Sequence, residues 1–191
     1  ESTVGGSTGE NDLTDNGSNR DNTVSGSFGE TSGVATVQQN NGSANSVNAA
    51  TGVLYADNVG GNVNQVVKAD AEVSNNGIDR DQSAQRDNAI QSDSFDNTDG
   101  VTTVQQNNGD GNYMGSGTAV AATLGNKVDN VTLGGSTSDN VVTVSGSATG
   151  NATNTVSGSF NDVNGVASVQ QNNGDGNVIQ SAISVSANVG N

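Results

Sequence analysis

Three runs of paired amides are the residues of this chain best placed to do chemistry: Gln38, Gln39, Asn40, Asn41; then Gln105, Gln106, Asn107, Asn108; then Gln170, Gln171, Asn172, Asn173. A side-chain amide carries a donor and an acceptor in one plane. Identical amides stacked on successive strands bond up and down a column and satisfy themselves without water. That chemistry is adhesive, not catalytic. The residue types that catalyse are scarce: there is no His and no Cys. Their absence removes most acid–base and nucleophilic arrangements, along with thiolate metal sites and disulfides. Paired carboxylates could still act together, but nothing in the spacing singles out a pair. An enzyme is therefore not expected, nor is a cofactor.

The amides belong to a longer block, GVATVQQNNGSAN at Gly33–Asn45, GVTTVQQNNGDGN at Gly100–Asn112 and GVASVQQNNGDGN at Gly165–Asn177. A phenylalanine precedes each copy at constant distance, and Phe28, Phe95 and Phe160 are the three Phe of the chain. The period is about 66 residues, which points to one structural unit stacked on copies of itself. Each unit reads as strand, turn, strand, turn, strand. The first strand is Val24–Phe28 and its counterparts Gln91–Phe95 and Val156–Phe160; the second runs over Gly33–Asn41. Alternation puts Val34, Thr36, Gln38 and Asn40 on one face of the second strand, and Ala35, Val37, Gln39 and Asn41 on the other. Both faces recur in all copies, so neither is expected to be free. The expected repeat core is Phe28, Val34, Val37, Phe95, Val101, Val104, Phe160, Val166 and Val169. The expected stacking ladder is the twelve amides named above.

Composition narrows the class. Apolar residues make up 30% of 191 and aromatics 3%, with no Trp, so a conventional core would be thin. Proline is absent, as suits a chain of strands in which every N–H is needed. The 20 Asp and Glu against 5 Lys and Arg argue against nucleic acid, whose phosphates need clustered cations. No segment approaches the roughly 18 apolar residues of a membrane span, so membrane insertion is not expected. No charged residue falls within 33–42, 100–109 or 165–174, where stacked like charges would repel in a dry interior. The fold class expected is all-β: a repeat-containing β-solenoid of stacked, cross-β-like layers that polymerises into a filament.

Along the chain, residues 1–21 read as an N-terminal arm or cap. Repeats then occupy 22–57, 89–126 and 154–191, with linkers at 58–88 and 127–153, the whole forming one continuous structural unit. Linker one, with Lys68, Arg80 and Arg86 among five acids, reads as a solvated excursion. The third unit ends the sequence with no cap after it. The chain starts at Glu1 without Met and is read as a mature secreted protein whose signal peptide has been removed.

At Asn40-x-Gly42-x-x-Asn45-x-Val47 and Asn172-x-Gly174-x-x-Asn177-x-Ile179 the block resembles the curlin repeat of bacterial functional amyloids, Q-x-G-x-x-N-x-A, with Asn in place of the leading Gln. Three Gln/Asn/Gly/Ala-rich repeats separated by two dissimilar linkers also resemble the Fap fibre subunit of pseudomonads, though the C-terminal CxxC of that family is missing here. The resemblance implies a secreted, extracellular, self-assembling fibre subunit of biofilm matrix and adhesion. Its partner would be further head-to-tail copies of itself. The alternative is a monomeric β-solenoid adhesin segment binding a surface or partner, with calcium as its candidate ion. Asp110 and Asp175 resemble the calcium-binding turns of RTX-type solenoids. The nonapeptide does not recur in tandem, and Ser43 replaces Asp in the first copy. A turn-fixing role is therefore the expectation for both, and no metal is expected.

Overall fold

The computed structural model describes residues 2–9, 12–15, 19–56, 67–74, 76–80, 85–91, 93–123, 131–138, 141–144 and 152–188. These residues form strands and turns and no helix. The fifteen strands fall into three successive sets of five. The first is β1 (Ser2–Gly9), β2 (Asp12–Asp15), β3 (Arg20–Ser25), β4 (Ser32–Asn40) and β5 (Ser46–Ala56). The second is β6 (Val67–Ser74), β7 (Gly77–Arg80), β8 (Arg86–Gln91), β9 (Asp99–Asn107) and β10 (Tyr113–Thr123). The third is β11 (Val131–Ser138), β12 (Val141–Val144), β13 (Ala152–Ser157), β14 (Asn164–Asn172) and β15 (Val178–Asn188). Each strand pairs in parallel with its counterparts, giving five three-stranded sheets whose central strand always comes from the second set. The sets are thus three levels, with level two held between levels one and three.

Pairing is in register with the repeat. Gly33, Gly100 and Gly165 face one another, as do Val34, Val101 and Val166, and Gln38, Gln105 and Gln170. Glycine is required where the levels approach most closely. A methyl on Gly100 would lie 2.0 Å from the carbonyl oxygen of Gly33, and one on Gly109 would lie 1.8 Å from that of Gly174. No Cβ fits at such distances, so the G-V and N-N-G ends of the block set the level spacing.

The segments set apart from the sequence as arm and linkers carry strands of their own. β1 and β2 lie within 1–21, β6 and β7 within 58–88, and β11 and β12 within 127–153; β1, β6 and β11 form one sheet and β2, β7 and β12 another. Level pairing thus extends beyond the recognisable block. Arg86, read from the sequence as part of a solvated excursion, is buried in β8.

The phenylalanines were expected at the end of a strand, yet β3 stops at Ser25 and Phe28 lies in the turn. The turn has positive φ at every second residue: Gly26, Phe28 and Glu30 in level one, Asp93, Phe95 and Asn97 in level two, and Gly158, Phe160 and Asp162 in level three. A left-handed conformation at a bulky residue costs on the order of 1–3 kcal/mol. The rings offset that cost by stacking. Phe28 and Phe95 lie 4.9 Å apart and 5° from parallel, and Phe95 and Phe160 lie 4.9 Å apart at 9°. The stack joins Ala35, Val37, Ile90 and Val104 in the apolar core, with Val24 and Val156 against it.

The β4, β9, β14 sheet is packed on both sides. One face meets that apolar core. The other meets β5, β10 and β15, where Gln38, Gln105 and Gln170 donate to the backbone carbonyls of Val47, Asn48 and Gly115. In level two every residue of β9 from Val101 to Asn107 is buried. This agrees with the expectation that neither face of the strand is free.

Candidate functional site: the stacked amide columns

Parallel, in-register pairing places identical side chains one strand spacing apart, about 4.8 Å, a distance that one amide–amide hydrogen bond spans. In the first column Gln38 Nε2 donates to Gln105 Oε1 at 2.9 Å, and Gln105 Nε2 donates to Gln170 Oε1 at 2.8 Å. In the second the direction reverses: Gln171 Nε2 donates to Gln106 Oε1 at 2.7 Å, and Gln106 Nε2 donates to Gln39 Oε1 at 2.8 Å. In the third, Asn172 Nδ2 donates to Asn107 Oδ1 and Asn107 Nδ2 to Asn40 Oδ1, each at 3.0 Å.

The fourth set departs from a simple column. Asn108 reaches Asn173 at 3.3 Å, but Asn41 turns aside to donate to the carbonyls of Arg20 and Asp87. It also accepts from Asn22. Asn22 belongs to a column that the sequence reading missed. Asn22 donates to Asn88 at 3.1 Å, and Asn88 to Asn154 at 3.0 Å. The sign of it was present as D-N, D-N and T-N at 21–22, 87–88 and 153–154, outside the conspicuous block. Asn45, Asn112 and Asn177 form a further series, in which the backbone N–H of Asn112 donates to Asn45 Oδ1 and that of Asn177 to Asn112 Oδ1.

The two aspartates fix turns across levels. Asp110 Oδ1 accepts the backbone N–H of Ser43, and Asp175 Oδ1 accepts that of Asp110 at 2.8 Å. Asp110 is also engaged by Arg86, whose Nη1 lies 3.1 Å from both carboxylate oxygens and donates to the Asn108 carbonyl at 3.0 Å. Both members of this ion pair are buried. Among the described residues no group of three or more acids, His or Cys is placed to hold a metal ion.

No protein-family model, curated protein or solved structure matches this chain. Its own geometry is what bears on function. The expected core residues divide by level. Phe95, Val101 and Val104 are buried in level two, as is Val37 in level one; Phe160 and Val166 are half-buried. Phe28, Val34 and Val169 are exposed. The cause is their place in the stack. Phe28 is 42% exposed against 0% for Phe95, Val34 50% against 4% for Val101, and Val169 45% against 0% for Val104. Among the described residues the remaining exposed large hydrophobics, Val53, Val178 and Val185, also belong to levels one and three. The amides follow the same rule. Gln105 to Asn108 are fully buried, whereas Gln38 and Asn40 at one end and Gln171 and Asn173 at the other are exposed. Gln39 and Asn41 in level one and Gln170 and Asn172 in level three are buried, so along each outer strand it is the alternate side chains, covered in level two, that meet solvent.

Proposed function

We propose that the chain is a β-solenoid subunit of a self-assembling extracellular fibre, structural in role, whose partner is a second copy of itself added head to tail. The observation that carries this reading is the exposure of the end levels. Each shows apolar side chains, amides and strand edges whose counterparts in level two are buried by a neighbouring level of nearly the same sequence. Uncovered edges with exposed apolar side chains are templates for another chain. Level one of an incoming copy offers level three the block that level two already offers it. Such a contact is heterologous and does not close, so it grows a filament. The Gln/Asn/Gly-rich block and its resemblance to curlin and Fap subunits supports a place in biofilm matrix and adhesion.

The purified chain, held at neutral pH and followed by sedimentation and negative-stain microscopy, is expected to convert from soluble protein to unbranched filaments. Net charge −15 opposes association. Protonating carboxylates between pH 7 and 4 should therefore speed conversion, and moderate monovalent salt should reproduce part of the gain by screening. A chain that stays monomeric throughout, or that associates only with calcium and ignores monovalent salt, would favour the adhesin segment instead.

A further inference from the structure

We propose, on the basis of the fibre reading, that the joint between subunits is polar and single: level three of one copy receives level one of the next, and like ends do not join. The amide columns have a direction. Each nitrogen of the first column also donates to a backbone carbonyl, which fixes which atom of the amide points which way. Gln170 accepts from Gln105 and gives one N–H to the Gly115 carbonyl of level two, which leaves its second N–H for the outer side of level three. Gln38 donates to Gln105, so its oxygen is turned to the outer side of level one. Level three against level one continues the column. Two level-three faces would oppose donor to donor, and two level-one faces acceptor to acceptor. The second column, running the other way, imposes the same rule with Gln171 Oε1 and the second N–H of Gln39, whose first goes to the Ala89 carbonyl of level two.

Charge agrees with polarity. At one corner of the stack, level one holds Arg20 beside Ser43, with Arg20 Nη1 3.4 Å from Ser43 Oγ. Level two holds the Arg86–Asp110 pair. Level three holds Ala152, in register with Arg86, and Asp175, whose carboxylate bonds to level two. At this corner level one carries a guanidinium and level three a carboxylate. A level-one face set on level three brings Arg20 towards Asp175, whereas like ends would bring together two arginines or two aspartates.

The glycine column supplies the steric lock. A methyl on Gly42 or Gly109 would strike the carbonyl of the next level at 1.8 Å, so those substitutions damage the subunit itself. At Gly174 the same methyl meets only the terminal nitrogen of the Asn177 side chain, at 2.7 Å, and that side chain can move. Gly174→Ala is thus compatible with the folded subunit and incompatible with another copy on level three. Its soluble form should keep the parent's circular dichroism, melt only slightly lower because Asn177 gives up its bond to Asn172, and lose elongation. Added at low ratio to growing parent fibres, it should bind once through level one and stop those ends.

A second variant reports the joint by covalent capture. Ser32 and Asn164 are exposed and both in register with Asp99, so within one chain they lie two levels apart, roughly 9–10 Å. That is too far for a disulfide, whereas one level apart across the joint is within reach. The chain has no native Cys. Oxidised fibres of Ser32→Cys/Asn164→Cys should give a ladder of covalent oligomers on a non-reducing denaturing gel, and either single variant monomer only. Covalent dimer from a single variant, or fibres with no ladder from the double, would overturn the polar joint while leaving the fibre reading intact; elongation by folded Gly174→Ala at the parent's rate would do the same. Absence of fibres from the parent itself would remove both.

Discussion

Gln105→Glu is expected to unfold the chain at neutral pH although the two side chains have the same shape. Gln105 is fully buried, accepts from Gln38, and donates to both Gln170 and the Asn48 carbonyl. A carboxylate there has no hydrogen to donate and faces two acceptors. The buried group favours its neutral form, so its folded pKa rises above the unfolded value of about 4.3. Below about pH 4.3 both states are protonated and the charge penalty is absent. Above it the penalty grows by about 1.4 kcal/mol per pH unit until the folded pKa is reached, which caps it near 3–4 kcal/mol at pH 7. The donor lost to Asn48 adds roughly 1–3 kcal/mol. Against a typical net stability of about 5–15 kcal/mol, that loss is most of the fold. Urea titrations at pH 4 and pH 7 test it. The variant should fall short of the parent at pH 4 only by the one donor that a protonated carboxyl lacks, and be largely unfolded at pH 7, while Gln38→Glu, exposed at the end of the same column, should cost little more than its bond to Gln105 and change little between the two. A variant equally stable at the two pH values would remove the columns from the account of the fold.

Arg86→Met should cost roughly 3–5 kcal/mol, the usual penalty for leaving one member of a buried ion pair behind. Asp110 is buried and its carboxylate would lose the guanidinium that lies 3.1 Å from both oxygens. Adding Asp110→Asn should restore most of the loss, because an amide oxygen can still accept the Ser43 N–H while the stranded charge is gone. Level three shows why the pair sits where it does. There Ala152 stands in register with Arg86, and Asp175 is exposed, so water can solvate it. A double-mutant cycle in urea measures the coupling. Additive effects of the two substitutions would mean that the ion pair does not hold level two together.

The amide columns were legible because their residues are identical in three copies and uncharged, and parallel pairing then needs only the register that the glycines enforce. The strands β1, β6 and β11 were not legible, because what they share is backbone pairing and not a common side-chain set: STVGGSTG and VTLGGSTS share GGST, but VKADAEVS lies between them. The Asn22, Asn88, Asn154 column was hidden for a related reason. Its neighbours differ between levels, with Arg20 and Arg86 giving way to Ala152. The Phe turn misled because V-S-G-S-F alternates like a strand, whereas stacking of the rings holds Phe in a conformation its local sequence would not choose. Exposure of Phe28, Val34 and Val169 could not be read at all, since it depends on position in the stack and not on residue type.

The central claim is that one chain contributes three levels and that copies continue the same stack. A helical reconstruction of the fibre at a resolution that separates strands tests this most directly. The expected axial rise per subunit is roughly 14 Å, three strand spacings, with level three of each copy against level one of the next and an unbroken Gln column through the joint. A rise near 28 Å, or subunits joined side to side with Gln171 and Gln38 still facing solvent, would contradict it.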